Sequence, residues 1–142
     1  MSVSVRLLLV GRNGAVRRGL DLLLALETGV TIVGQAEDGG DAIKLGHQFQ
    51  PTMVLVDLES LGDRGLEQAA RIRSELSTST TVVVLSLRDD AMTRQQVAAA
   101  GLRFLSKDGE TDGLLELVRD GSPAKVRGSR RPGPSTEPEL KR

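Results

Sequence analysis

The strongest constraint on this chain is an alternation of two kinds of segment. Five short β-branched or leucine-rich runs, Val5–Val10, Val30–Ala36, Thr52–Leu58, Thr81–Ser86 and Leu102–Ser106, are separated by longer stretches of mixed polarity. The runs are nearly continuous in apolar character, as strands covered on both faces are. The stretches Ala15–Glu27, Asp41–Gln50, Gly65–Glu75, Asp90–Ala100 and Thr111–Asp120 repeat apolar residues at helical spacing, with Val16, Leu20, Leu23 and Leu24 on one face of the first. Strict alternation of this kind builds a parallel sheet with helices on both faces. Punctuation agrees with the division: Pro51 ends a helix before a strand, Gly29 and Gly101 follow helices as C-terminal caps do, and Asp38 and Asp90 precede helices they can cap. The successive units differ too much to be copies of one repeat.

A five-stranded sheet of order 2-1-3-4-5 is expected, and that order says where chemistry belongs. Ligands of such sheets sit in the crevice at the carboxyl ends of strands one and three. Asp57 stands there, in Val54-Leu55-Val56-Asp57-Leu58. Ser86 ends the fourth strand and Lys107 follows the fifth, so a carboxylate, a hydroxyl and an ammonium are expected at one end of neighbouring strands.

Composition bounds the alternatives. At 142 residues and 39% apolar the chain has material for one domain, and with no cysteine it has no disulfide, thiol nucleophile or Cys-ligated metal. The run Leu7 to Val10 is too short for a signal-peptide core or a membrane span, and a cytoplasmic protein is expected. Equal numbers of acidic and basic residues hide an asymmetry: residues 1–121 hold 13 of the 19 Lys+Arg but 17 of the 19 Asp+Glu. Residues 122–142 are therefore basic, carry four of the five prolines, and offer only Val126 and Leu140 as sizeable apolar groups. They are expected to form a disordered tail or linker.

The ordered segments of residues 3–121 resemble the receiver domain of two-component response regulators (CheY-like), and within it the LuxR-type (NarL/FixJ) branch. The resemblance is carried by Val5–Val10 with Val16-Arg17-Arg18-Gly19-Leu20, by Val33 to Gly39, Pro51–Leu58, Gly62 with Gly65-Leu66-Glu67, Val83 to Asp90, and Ala100 to Asp108. It implies a flavodoxin-like (βα)₅ three-layer sandwich. It also implies that Asp57 is the phosphoacceptor, Ser86 the hydroxyl that turns toward the phosphoryl group, Lys107 the lysine that pairs with it, and Phe104 the aromatic that reports the state to the face of helix four, strand five and helix five.

One part of the family pattern is missing. Receivers carry two adjacent acidic residues after strand one, which with the phosphoacceptor hold Mg²⁺; the matching positions here are Gly11 and Arg12. Three carboxylates and a lysine leave a net negative charge that Mg²⁺ offsets, whereas Arg12, Asp57 and Lys107 leave a net positive one. Asp57 alone is a poor start on an oxygen-rich octahedral shell, and Glu59 is the one nearby substitute carboxylate. Weak or absent Mg²⁺ binding is expected, and with it a pseudo-receiver that is not efficiently phosphorylated. Arg12 then has two readings: its guanidinium lies against Asp57 and imitates the cation, or it points into solvent.

The expected function is regulatory and not enzymatic: signal transduction and transcriptional control through phosphorylation-independent contacts, by the helix-four, strand-five and helix-five surface or by homodimerisation. A conventional receiver phosphorylated on Asp57 by a histidine kinase is the first alternative. The second is a nucleotide- or anion-binding domain using Val10-Gly11-Arg12-Asn13-Gly14 at a helix N-terminus, although neither standard glycine-rich phosphate loop is present. The partner implied is a protein, a histidine kinase or another regulator, with no membrane and no specific DNA binding. The basic cluster Lys125, Arg127, Arg130 and Arg131 could touch phosphates without specificity. Glu139-Leu140-Lys141-Arg142 loosely resembles the start of a LuxR-type DNA-binding domain. His47 has no metal-spaced partner and is read as a surface or half-buried helix residue, Phe49 as core, and Arg17-Arg18 as the exposed side of the first helix.

Overall fold

The computed structural model describes residues 4–107 and 111–120. Its order is β1 Val5–Val10, α1 Gly14–Leu24, β2 Val30–Ala36, α2 Gly39–Phe49, β3 Met53–Asp57, a 3₁₀ turn Glu59–Arg64, α3 Gly65–Glu75, β4 Thr81–Ser86, α4 Ala91–Ala99, β5 Arg103–Ser106 and α5 Thr111–Asp120. The strands form one sheet of order β2-β1-β3-β4-β5, and every pairing is parallel. This is the flavodoxin-like order expected. The tail expected over residues 122–142 lies outside the described residues.

Alternation along the strands divides the apolar side chains between two layers. Leu8, Val10, Val54, Val56, Val82 and Val84 face Ala42 of α2, Ala69 and Ile72 of α3, and Val97 of α4. Leu7, Leu9, Met53, Leu55, Val83 and Leu85 face Leu24 of α1 and Leu114 and Val118 of α5. Continuous burial, expected of every run, holds for the interior strands β3 and β4 and fails at the two edges. β2 and β5 are mostly half-buried because each pairs on one side only.

The helix ends show which local signals were readable. Asp38 and Asp90 cap α2 and α4 by accepting from the amides of Asp41 and Thr93. Gly29 and Gly101 take positive φ values of 88° and 78°, the backbone region a glycine enters without cost. Asn13 caps α1, accepting from the Ala15 and Val16 amides. The first helix stops at Leu24, short of the expected Glu27, and leaves Leu26 85% exposed. Glu27 instead takes the guanidinium of Arg119 on α5 at 2.8 and 3.1 Å. Leu58 leaves the expected third strand to open the 3₁₀ turn, which matters because that turn carries two residues of the site.

Candidate functional site

The parallel order brings the ends of β1, β3, β4 and β5 to one edge of the sheet. Asp57 ends β3 and is only 3% exposed. Lys107, just past β5, pairs its ammonium with the Asp57 carboxylate and has its own side chain 19% exposed. Its backbone amide donates to the Ser86 carbonyl at 2.9 Å, which ties β5 to β4 at this point. The expected meeting of Asp57, Ser86 and Lys107 is therefore what the fold produces.

Glu59, the first residue of the 3₁₀ turn, enters the same cluster. Its carboxylate accepts from Ser86 Oγ at 2.5 Å and from the Leu87 amide at 3.0 Å, and lies 3.0 Å from Lys107 Nζ. Partial burial works to raise the Glu59 pKa, but the bonds from Ser86 and Leu87 and the Lys107 charge outweigh it and hold the group below the usual carboxylate range. Burial likewise works against charge on Lys107, and the two carboxylates outweigh it and raise the ammonium above the ordinary lysine value. The cluster of Asp57, Glu59 and Lys107 thus has one more carboxylate than cation, which corrects the net positive charge expected from Arg12, Asp57 and Lys107.

The β1 side is built differently. Gly11 passes so close to β3 that a Cβ at this position would lie 2.9 Å from Asp57 Cβ and 2.8 Å from Ser60 Oγ. Ser60 joins the two loops, accepting from the Arg12 amide at 3.0 Å and donating to the Asp57 carbonyl at 2.9 Å. With its amide held there, Arg12 sends its side chain outward, 63% exposed and 3.9 Å from Asp38. The reading in which Arg12 lies against Asp57 is corrected: Lys107 already matches that buried charge, and the guanidinium stays in solvent.

The residues present do not fit a Mg²⁺-type ion, which wants a near-octahedral set of oxygens. Asp57 is engaged by Lys107, both Glu59 oxygens accept other donors, and positions 11 and 12 supply no carboxylate. Among the described residues no group of three acidic, histidine or cysteine side chains is placed to hold a metal. The phosphate-cradle reading of Val10 to Gly14 is also corrected, since the Asn13 side chain takes the Ala15 and Val16 amides that an anion would use.

Phe104 is half-buried in β5, packed on the α2–α4 layer, and covered from outside by the Arg94 guanidinium 4.5 Å from the ring centroid. Arg94 is held by an ion pair with Asp89. Elsewhere, His47 is exposed, Phe49 is half-buried, and Arg18 is exposed. Arg17 departs from expectation: it is half-buried, with its Nε shielded from solvent. Ser60, Arg94 and the bonds that Glu59 accepts from Ser86 and Leu87 were not read from sequence. A hydroxyl three residues past Asp57 was the only available signal for the first of them.

The response regulator receiver domain profile matches residues 7–119. The transcriptional regulatory protein LiaR of Bacillus subtilis is 29% identical over 118 residues, covering 83% of this chain and 56% of the relative. The nitrate/nitrite response regulator NarL of Escherichia coli is 31% identical over 119 residues, covering 82% and 54%. The chain thus spans about half the length of the curated relatives it matches. Among solved structures, the signal receiver domain of the response regulator called NarL in Mycobacterium tuberculosis superposes with a TM-score of 0.72 at 31% identity, covering 83% of this chain and 95% of that one.

Proposed function

The chain belongs to the response regulator receiver family, and from that premise we propose that it is a pseudo-receiver, a regulatory module whose output face is set by its own packing and not by Mg²⁺-dependent phosphorylation of Asp57. The observation that carries this reading is the close approach of Gly11 to Asp57, sealed by Ser60, at the place where the family keeps a pair of acids. Without those acids the affinity for Mg²⁺ is negligible, and the developing charge of phosphoryl transfer has no metal to offset it.

The module is regulatory and non-enzymatic, and it acts in the cytoplasm on a protein partner through the surface of α4, β5 and α5. That surface holds Phe104 under Arg94, and it includes the exposed Met92 of α4. A histidine kinase, another regulator or a second copy of the chain each fits that description. Transcriptional control is proposed from LiaR, a transcriptional regulatory protein of which the match covers 56%. No helix among the described residues is long and apolar enough to cross a membrane.

Retention of Asp57, Ser86 and Lys107 in one crevice favours the competing reading, a conventional receiver phosphorylated on Asp57. The test is incubation of the full chain with acetyl phosphate and Mg²⁺, followed by intact-mass measurement beside a conventional receiver. An unmodified mass supports the pseudo-receiver. A single phosphoryl adduct that disappears in Asp57→Asn would overturn it.

A further inference from the structure

We propose that Glu59 is a built-in substitute for the phosphoryl group, its carboxylate filling the anion hole formed by Lys107 Nζ, Ser86 Oγ and the Leu87 amide. The proposal deepens the pseudo-receiver reading and rests on it, because a phosphoryl group on Asp57 and the Glu59 carboxylate would compete for the same donors.

Three donors of different kinds converge on this one side chain: a hydroxyl at 2.5 Å, a backbone amide at 3.0 Å and an ammonium at 3.0 Å. An ammonium beside a hydroxyl and an amide is a set suited to an oxyanion, and charge-assisted bonds of this type are the strong ones. Ser86 is fully buried, so its hydroxyl needs an acceptor inside the protein. Lys107 and Ser86 are the two groups that the family resemblance assigns to the phosphoryl, and here an internal carboxylate engages both.

The same contacts lead toward the output face. Ser86 Oγ donates to Glu59 and accepts from the Arg88 amide at 3.0 Å, which fixes the start of the loop after β4. The next residue, Asp89, holds Arg94, and Arg94 covers Phe104. An anion in the hole therefore supports a loop arrangement that reaches the aromatic through consecutive contacts. The hole is reachable from outside: Glu59 is 31% exposed along its side chain and borders a cavity of about 370 Å³ shared with Arg88 and Thr93.

The test compares ¹H–¹⁵N spectra of the full chain as wild type, Glu59→Ala and Glu59→Gln. Truncation to Ala should shift the Leu87, Arg88 and Phe104 amides. Formate or inorganic phosphate, added at constant ionic strength against chloride, should return them saturably toward their wild-type positions while leaving wild type unmoved. The rescue should persist in Glu59→Ala/Asp57→Asn, because the anion sits in the hole and is not bonded to Asp57. If the Ala variant fails to fold, Glu59→Gln keeps the shape and one acceptor oxygen, and loss of its charge should still move the Lys107 and Phe104 signals. Shifts confined to residues adjoining position 59, or a Glu59→Ala spectrum indifferent to both anions, would overturn the proposal. Its failure is separable from that of the pseudo-receiver reading, which is decided by a phosphoryl adduct on wild-type Asp57.

Discussion

The two sides of the crevice around Asp57 share a boundary and differ in kind. Toward β1, Gly11 brings bare backbone against β3, Ser60 ties the loops together, and Arg12 leaves for solvent. Toward β4 and β5, Ser86, Lys107 and Glu59 form a cluster in which each polar group has a partner. A cation needs converging oxygens and an anion needs converging donors. One side lacks the first arrangement and the other has the second, the combination that the proposed pseudo-receiver requires.

The comparison breaks most readily at Lys107, whose loss would leave Asp57 buried beside Glu59 with no cation. Lys107→Met should cost about 3 kcal/mol in denaturant unfolding, because removing one partner strands the other charge. Adding Asp57→Asn to the same chain should recover a large part of that loss, since the two sites are coupled. A cost near zero for Lys107→Met would mean that the cluster is held by something other than this pair.

On the β1 side, restoring the acids should fail for a steric reason. Gly11→Asp with Arg12→Asp should destabilise by about 1–3 kcal/mol, because a side chain at position 11 meets Ser60 and Asp57 at under 3 Å. Calorimetric titration should still find no Mg²⁺ binding. Adding Ser60→Gly should relieve part of the strain, leaving the contact with Asp57 Cβ. Mg²⁺ binding with no loss of stability would show that this side lacked only carboxylates.

The Glu59 cluster should be visible in the pH dependence of stability. A carboxylate whose pKa is lowered on folding contributes stability that is present above its unfolded value of about 4.3 and is lost as the pH falls through the folded value. Wild type should therefore lose more stability than Glu59→Gln on acidification from neutral pH to below about pH 4, by urea unfolding at each pH. Parallel curves for the two proteins would remove Glu59 from the account. The smallest effect belongs to Arg12→Ala, expected within about 0.5 kcal/mol of wild type, since its contact with Asp38 is long and solvated. A larger loss would place Arg12 in the site after all.

Much of this is legible in the sequence, and the reason differs between the parts. The strands and helices show as apolar periodicity, and Asp57, Ser86 and Lys107 show because a strand end is a position that a one-dimensional pattern can mark. Ser60 and Arg94 act through hydrogen bonds and rotamers of loop and helix residues, which leave no period to read. Glu59 was visible as a carboxylate near the crevice, but its engagement with the donors of Ser86 and Leu87 depends on the 3₁₀ turn that begins at Glu59. α2 starts at Gly39, two residues before the expected Asp41 and directly after its cap Asp38; Gly39 is buried, with its amide held by Gln68 Oε1 at 2.7 Å.

The central claim is that the metal half of the crevice is closed. Its most direct test is titration of the wild-type chain with Mg²⁺ and then beryllofluoride, following amide shifts at Asp57, Ser86 and Phe104 with Asp57→Asn as control. The account expects no saturable shift at millimolar Mg²⁺ and none on adding beryllofluoride. Saturable shifts in wild type that vanish in Asp57→Asn would contradict it and identify a phosphorylatable switch.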